Sequence, residues 1–79
     1  MAKLKLHDAR LFHLIAEAAE RRLGEFNPQD LANTVWAYAT ARVEAGRLFG
    51  LVAEAAERRL AEFNPQALAN TVWAYATAR

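Results

Sequence analysis

Cysteine and serine are absent from this chain of 79 residues, and glycine and proline are scarce, with three and two residues. Without cysteine there can be no disulfide, thiolate metal site, iron–sulfur cluster or cysteine nucleophile. The lack of serine removes a second common nucleophile, and no glycine-rich phosphate loop occurs. We therefore expect a protein that is not an enzyme and that holds no metal and no cofactor.

Long apolar runs are also missing, since no stretch approaches the roughly 18 apolar residues that suggest a membrane-spanning helix. We expect a soluble, intracellular protein without a membrane partner, in an organelle or in the cytoplasm. Ten Lys and Arg against nine Asp and Glu give a formal charge of +1. That balance is far from the strongly basic one of a typical nucleic-acid-binding domain, so charge alone indicates no partner.

What the sequence does contain is a repeat. Residues 6–42 align with residues 43–79 without a gap, and only 8 of the 37 aligned pairs differ. A period of this length is typical of helical pairs whose apolar faces are buried by stacking on neighbours. The high alanine content favours helix. The sequence therefore predicts an all-α fold, an α-solenoid of two tandem 37-residue helix-turn-helix repeats that follow an N-terminal extension, residues 1–5.

Each repeat contains signals for two helices. The first helix is predicted at about 8–23 and again at about 45–60, because apolar side chains recur on one stripe at helical spacing. The second helix is predicted at about 28–41 and 65–78, where Asn27 or Asn64 can cap the helix and a proline suits its first position. In the first repeat the apolar stripe consists of Leu11, Phe12, Ile15, Ala19 and Leu23.

The second helix is apolar almost all round, which is typical of a helix between neighbours. We expect its aromatic residues to fill the gaps between repeats as core residues. A buried amide must find hydrogen-bond partners, so Asn33 and Asn70 either fix the stacking register or face a groove and meet a ligand. The predicted inter-repeat residues are Asn33, Asn70, Trp36, Trp73, Tyr38 and Tyr75.

The stretch Asn-Pro-Gln-x-Leu-Ala-Asn-Thr-Val-Trp-Ala-Tyr-Ala occurs at residues 27–39 and again at 64–76. It resembles the core of the octotricopeptide-type repeats, helical pairs found in organellar RNA-binding proteins, and the resemblance covers the chain apart from residues 1–5. It implies an α-solenoid that binds single-stranded RNA. Two repeats instead of a long array suit an excised fragment or an engineered minimal array.

Two sets of side chains are candidates for RNA contact. In repeats that read one base each, reading positions change between units while scaffold positions stay fixed. The alternative is that exposed positions drift freely. The arginines could line up into a stripe for phosphates, or simply complement the helix dipole. The candidates are the changed polar positions His7, Asp8, His13, Asp30 and Glu44, and the basic residues Arg10, Arg47, Arg21, Arg22, Arg58 and Arg59.

The ends of the array lack the polar outer face that terminal repeats of solenoids usually carry. We therefore expect self-association as a dimer, a ring or a filament. This gives the alternative function, a self-assembling or protein-binding repeat without nucleic-acid binding. RNA binding through phosphates is expected to depend on salt, whereas an apolar assembly is not.

Overall fold

The computed structural model describes residues 5–78, with side chains from residue 10 onward, and it consists of helices joined by short turns. Within this range it contains four α-helices, two 3-10 turns and no strand: α1 Lys5–Glu20, a turn at Leu23–Glu25, α2 Pro28–Ala41, α3 Gly46–Arg58, a turn at Leu60–Glu62, and α4 Pro65–Thr77. The predicted all-α fold of two helix-turn-helix units is confirmed.

The first helix of each repeat ends earlier than predicted. At the end of α1 the backbone changes to hydrogen bonds between residues three apart, from the Arg22 N–H to the Ala19 carbonyl at 2.9 Å. The chain then forms a 3-10 turn instead of another α-helical turn, so α1 stops at Glu20 and not at Leu23. In the second repeat α3 likewise stops at Arg58, and only the 3-10 turn includes Leu60. Tightening of a last turn to 3-10 geometry is common.

The second helices begin where the sequence predicts. The Asn27 side-chain oxygen accepts the Asp30 N–H at 2.7 Å, while the Asp30 carboxylate accepts the Asn27 N–H at 3.2 Å. In the second repeat Asn64 accepts the Ala67 N–H at 2.7 Å. These bonds satisfy N–H groups that a helix start leaves without partners. The predicted asparagine caps are therefore confirmed.

The chain turns from the first repeat to the second at Arg42, which has left-handed backbone angles with φ 60° and ψ 38°. Its N–H donates to the Ala39 carbonyl and the Val43 N–H donates to the Tyr38 carbonyl, both at 3.2 Å. This pair of bonds is the Schellman arrangement, which usually has glycine at the left-handed residue. The turn directs α3 back alongside α1.

Equivalent helices pack side by side. The most extensive packing joins α2 to α4, while α3 lies against α1, α2 and the first 3-10 turn. The four largest side chains with almost no exposure are Leu31, Val35, Leu48 and Val52, two from each repeat. The core of the molecule is thus the boundary between its repeats, which we call the junction.

Candidate functional site

The junction has a polar border around its apolar centre. The Arg47 guanidinium of α3 forms an ion pair with the Glu20 carboxylate of α1, with 3.2 Å between Nε and Oε1. Arg59 donates from Nη1 to the Phe26 carbonyl at 2.7 Å and lies 3.5 Å from Glu62. Each of these two arginines therefore binds one repeat to the other. The sequence prediction had assigned both to RNA.

Residues that are identical in the two repeats have different environments, because only one face of each repeat is covered. Val35 is fully buried, whereas its counterpart Val72 is 67% exposed. Leu48 is fully buried, and its counterpart Leu11 is 55% exposed. A repeat that lacks a neighbour on one side leaves its stacking face in water.

Two uncovered apolar faces result, one at each end of the molecule. The N-terminal open face consists of Leu11 and Ile15 on α1, whose counterparts Leu48 and Val52 are buried in the junction. Leu11 and Ile15, which belong to the predicted apolar stripe, are exposed because no repeat covers this side of α1 in the described part of the chain. The C-terminal open face consists of Leu60, Leu68 and Val72, whose counterparts in the first repeat are buried: Leu23, Leu31 and Val35.

A third surface is formed by the outer sides of α2 and α4. Side chains at spacings of four, three and four residues share one side of an α-helix. On each helix this side presents two amides, an indole and a hydroxyl, and the two rows run next to each other because α2 packs against α4. We call this surface the amide–tryptophan face; its residues are Gln29, Asn33, Trp36, Thr40, Gln66, Asn70, Trp73 and Thr77.

The two indoles are adjacent on this face. The ring centroids of Trp36 and Trp73 are 5.9 Å apart with 35° between the ring planes, and the residues are 43% and 44% exposed. The prediction that the tryptophans lie in the core is therefore wrong, although their rings meet across the repeat boundary. They are neighbours along the array and leave much of their surface open to solvent.

The asparagines also differ from the prediction. Asn33 is exposed, and its side-chain oxygen accepts a hydrogen bond from Gln29 of the same helix at 3.2 Å. Asn70 is half-buried, and no hydrogen bond of its side chain is found within the described residues. The premise of two buried amides that fix the register between repeats is wrong for Asn33. Its position on the outer side of α2 allows the remaining amide donors to meet a ligand.

The tyrosines hold each repeat together internally. The Tyr38 hydroxyl donates to the Phe12 carbonyl, and the Tyr75 hydroxyl donates to the Phe49 carbonyl at 2.7 Å. Each phenol ring also meets the phenylalanine ring edge to face, with centroids 4.9 and 5.1 Å apart. The hydroxyl bonds thus join helices within one repeat, whereas the sequence prediction placed these residues between repeats.

Burial has a consequence for the acidity of both phenols. It raises the pKa of Tyr75 to about 12. The pKa of Tyr38 is raised by burial first and then by the Glu20 carboxylate. Both hydroxyls are therefore neutral hydrogen-bond donors around neutral pH. They also border a shallow cavity of about 650 Å³ where the repeats connect.

The arginines proposed for RNA do not form one group. Arg47 and Arg59 make the junction contacts described above. The others, Arg10, Arg21, Arg22 and Arg58, are exposed, and within the described part of the chain no ion pair involves them. Arg58 borders a small surface cavity together with Glu54, Glu20 and Arg59, so charges of both signs alternate there.

The polar positions that change between repeats are dispersed as well. The side chains of His7 and Asp8 lie outside the described residues. His13 is exposed on α1, Asp30 caps the start of α2, and Glu44 is exposed in the connection between the repeats. No hydrogen bond or ion pair brings any two of these three together. Asp30 has a structural partner, the Asn27 N–H, that the sequence prediction did not assign to it.

Sequence reasoning missed the outer residues Gln29 and Thr40 and their counterparts Gln66 and Thr77. The spacing that places them beside the asparagines and tryptophans can be seen in the sequence. Because most residues of this helix are apolar, however, its composition does not indicate which side faces outward. The partners in the junction, such as Glu20 with Arg47, are 27 residues apart and carry no local signal.

Two kinds of feature are absent from the residues that the structure describes. None of the helices there combines the length and the apolarity needed to cross a bilayer. Nowhere in the same range do three His, Asp or Glu side chains come close enough to hold a metal ion.

Four helices in two equivalent pairs define a protein of the tandem helical-repeat class. A family model described as "Protein of unknown function (DUF1601)" matches residues 4–35 and 45–72, one segment in each repeat. The two segments cover more than half of the chain and end at equivalent positions, 35 and 72. The chain therefore belongs to the DUF1601 family. Comparisons with curated proteins and with solved structures give no match.

Proposed function

We propose that this chain is a non-catalytic helical-repeat module that binds single-stranded RNA along the amide–tryptophan face. The observation that most strongly supports this proposal is the pair of adjacent, exposed indoles, Trp36 and Trp73, one from each repeat. The proposal also rests on the resemblance of residues 27–39 and 64–76 to octotricopeptide-type repeats. It includes the expectation that the two repeats form a short piece of an α-solenoid.

Exposed indoles suit an unpaired nucleic-acid strand. Every base has a π-face, and stacking of a base on an aromatic side chain contributes about 1–3 kcal/mol. The rings of Trp36 and Trp73 are too close for a base to be inserted between them, since their centroids are 5.9 Å apart. Bases would stack on the outward surfaces. A double helix keeps its bases stacked inside and does not present them in this way.

The amides beside the indoles add the hydrogen-bonding capacity that base edges require. Gln29 donates to the Asn33 oxygen, which fixes the orientation of the Asn33 amide. Its Nδ2 donors then point away from that bond and can reach a base. Helical repeats that bind RNA read a base with two or three side chains per repeat. One Asn, one Gln and one Trp in each repeat fit this number.

Charge determines how strong such binding can be. The amide–tryptophan face contains no charged side chain, and Asp30 lies at its border. Phosphate contacts supply most of the non-specific affinity for nucleic acids, with a characteristic salt dependence. We therefore expect weak binding by two repeats and a shallow salt dependence. The exposed arginines Arg21, Arg22 and Arg58 offer the contrasting mode, in which phosphates dominate.

The test is a fluorescence titration with a mixed pool of short single-stranded RNA, with duplex RNA as the control ligand. The variant Trp36→Leu leaves Trp73 as the reporter, and we expect it to weaken binding about tenfold, which corresponds to about 1.4 kcal/mol. A second variant replaces Arg21, Arg22 and Arg58 by glutamine. Circular dichroism of both variants shows whether the helices are retained.

The two variants separate the possible results. Binding that is weakened by Trp36→Leu and little changed by the arginine variant supports the proposal. Binding that is abolished by the arginine variant and steeply dependent on salt would place RNA on the basic residues instead. The absence of binding to single-stranded RNA by the unaltered chain would refute RNA recognition by these two repeats.

A second candidate function is a self-assembling or protein-binding repeat without nucleic-acid affinity. The observation that favours it is the exposure of both stacking faces, above all Val72 at 67%. Light scattering over a range of concentrations tests it, in the presence and absence of RNA. A monomer at all concentrations would count against self-assembly, and an oligomer that ignores RNA would favour it over the first proposal.

A further inference from the structure

We infer that the C-terminal open face of one chain docks on the N-terminal open face of a second copy, in the register of the junction, and that Asp30 weakens this contact. The inference rests on the self-assembly in the second candidate function, and it names the partner, the contacts and the residue that limits them. It does not require RNA binding.

The apolar parts of the two faces are the two halves of an interface that this chain already contains. In the junction Leu23, Leu31 and Val35 cover Leu48 and Val52, and all five are buried. On the C-terminal open face the counterparts of Leu23, Leu31 and Val35 are Leu60, Leu68 and Val72. On the N-terminal open face the counterparts of Leu48 and Val52 are Leu11 and Ile15. Four of these five are the same residue type as their counterparts. The exception, Ile15 in place of Val52, adds one methylene group.

The polar border of the junction is also reproduced. Glu57 corresponds to Glu20, and Arg10 corresponds to Arg47, so the ion pair of the junction would recur between Glu57 of one chain and Arg10 of the next. Both residues are exposed, and no ion pair involves either of them within the described residues. The second border contact would recur as well, since Arg22 corresponds to Arg59 and would donate to the Phe63 carbonyl, the counterpart of the Phe26 carbonyl.

Two positions that differ between the repeats, both occupied by glycine in the second repeat, leave space for a larger residue in this register. Gly46 and Gly50 are exposed, and a Cβ atom added to either would meet nothing within 4 Å. Their counterparts on the docking chain are an alanine and His13, and the Cβ atom of each therefore has room. Glycine-to-larger changes at open positions cost little packing.

Asp30 stands at a position where the second repeat is covered. Its counterpart Ala67 is only 1% exposed, whereas Asp30 itself is exposed. The two positions are equivalent, so a repeat without a neighbour leaves this position in water. The first repeat therefore covers Ala67 within the junction. In the docked pair the Asp30 carboxylate of the second copy would take this covered position. A carboxylate that loses its hydration without a cationic partner disfavours the contact strongly.

The decisive variant is Asp30→Ala, which gives the first repeat the residue of the second. The fold tolerates alanine there, because Ala67 receives the same cap from Asn64 at 2.7 Å. We expect sedimentation equilibrium to show Asp30→Ala self-associating at a concentration at least about tenfold lower than the unaltered chain. Val72→Asp, a change at an exposed position, is the matched variant that should abolish the association of Asp30→Ala.

Charge exchange tests the register. In the Asp30→Ala background, Glu57→Arg alone and Arg10→Glu alone should each weaken association by about two- to fivefold, the range of a partly exposed ion pair. An equimolar mixture of the two should recover it, because each open face then meets a complementary charge. Recovery supports head-to-tail docking. Failure of the mixture to recover would overturn the register.

The remaining outcomes distinguish failure of this docking interface from failure of the self-assembly candidate. A monomer at every concentration, for both the unaltered chain and Asp30→Ala, would overturn the docking and the self-assembly candidate together. An oligomer that is unaffected by Asp30→Ala and Val72→Asp would overturn this interface and leave self-assembly through another surface standing. Neither result decides whether the chain binds RNA.

Discussion

The same valine occupies two environments in this chain, and removing its side chain from each should have different effects on stability. Val35 is fully buried in the junction, whereas Val72 is 67% exposed on the C-terminal open face. Both lie at the same position of helices that differ in sequence only at Asp30 and Ala67. Val35→Ala and Val72→Ala therefore form a matched pair in which local sequence effects nearly cancel.

The expected difference can be worked out from burial. Removing two methyl groups from a fully buried site costs about 1.6 kcal/mol of transfer free energy, at about 0.8 kcal/mol for each group. The remaining cavity adds roughly 1 kcal/mol, at about 24 cal/mol per Å³. Alanine recovers about 0.5 kcal/mol of helix propensity in both variants. Val35→Ala should thus lower the free energy of unfolding by about 2 kcal/mol, and Val72→Ala should change it by roughly zero.

Urea denaturation followed by circular dichroism measures both values, at a concentration low enough to keep the chains monomeric. A domain of this size has about 3–5 kcal/mol to lose, so Val35→Ala should remain folded with a clearly lower midpoint. Equal losses in the two variants would refute the reasoning, because they would mean that Val72 is covered in solution. A negligible loss in both would mean that the α2–α4 packing does not stabilise the chain.

Three further predictions test single features of the structure. Arg59→Met should lower the free energy of unfolding by about 1.5 kcal/mol, because the hydrogen bond to the Phe26 carbonyl is lost. Arg22→Met, at the equivalent exposed position, should change the free energy of unfolding little in the monomer. Equal effects of the two variants would contradict this prediction. Arg42→Gly should raise the denaturation midpoint, because glycine adopts the left-handed backbone angles at this position without steric cost, a gain of up to about 1 kcal/mol. A lower midpoint would count against the described turn. Because the folded pKa of Tyr75, about 12, exceeds its unfolded value of 10.0, the unfolded chain loses that proton first. Stability should therefore fall as pH rises from 10 towards 12, and Tyr75→Phe should make the fall shallower; an unchanged slope in alkaline denaturation would contradict the burial of this phenol.

Much of the fold could be predicted because its signals are local. Asparagine and proline mark the start of each second helix, and the structure has the predicted caps at Asn27 and Asn64. The end of the first helix has no comparable signal, since neither glycine nor proline stands between Glu20 and Leu23. The same change occurs in the second repeat, where Leu60 is 51% exposed, so burial of the leucine does not decide where the helix ends.

The surfaces were harder to predict, and the reason is physical. A helix that is apolar almost all round does not reveal which side is covered, so the tryptophans were assigned to the core and are in fact more than two-fifths exposed. Burial of Leu31 and exposure of Leu68 cannot be distinguished by any local pattern, because their surroundings in sequence are nearly identical. Only the place of a repeat in the array decides which face has a neighbour.

The two proposals involve different sides of the same helices and can therefore hold together. On α2 the residues that stack, Leu31 and Val35, lie more than 90° around the helix axis from Trp36, at 100° for each residue. Docking of a second chain would cover the stacking face and leave the amide–tryptophan face open. It would also place Trp36 of that chain beside Trp73, as in the junction. Each docked copy would lengthen the row of indoles by two, so affinity for a single strand would rise with assembly even though two repeats alone bind weakly.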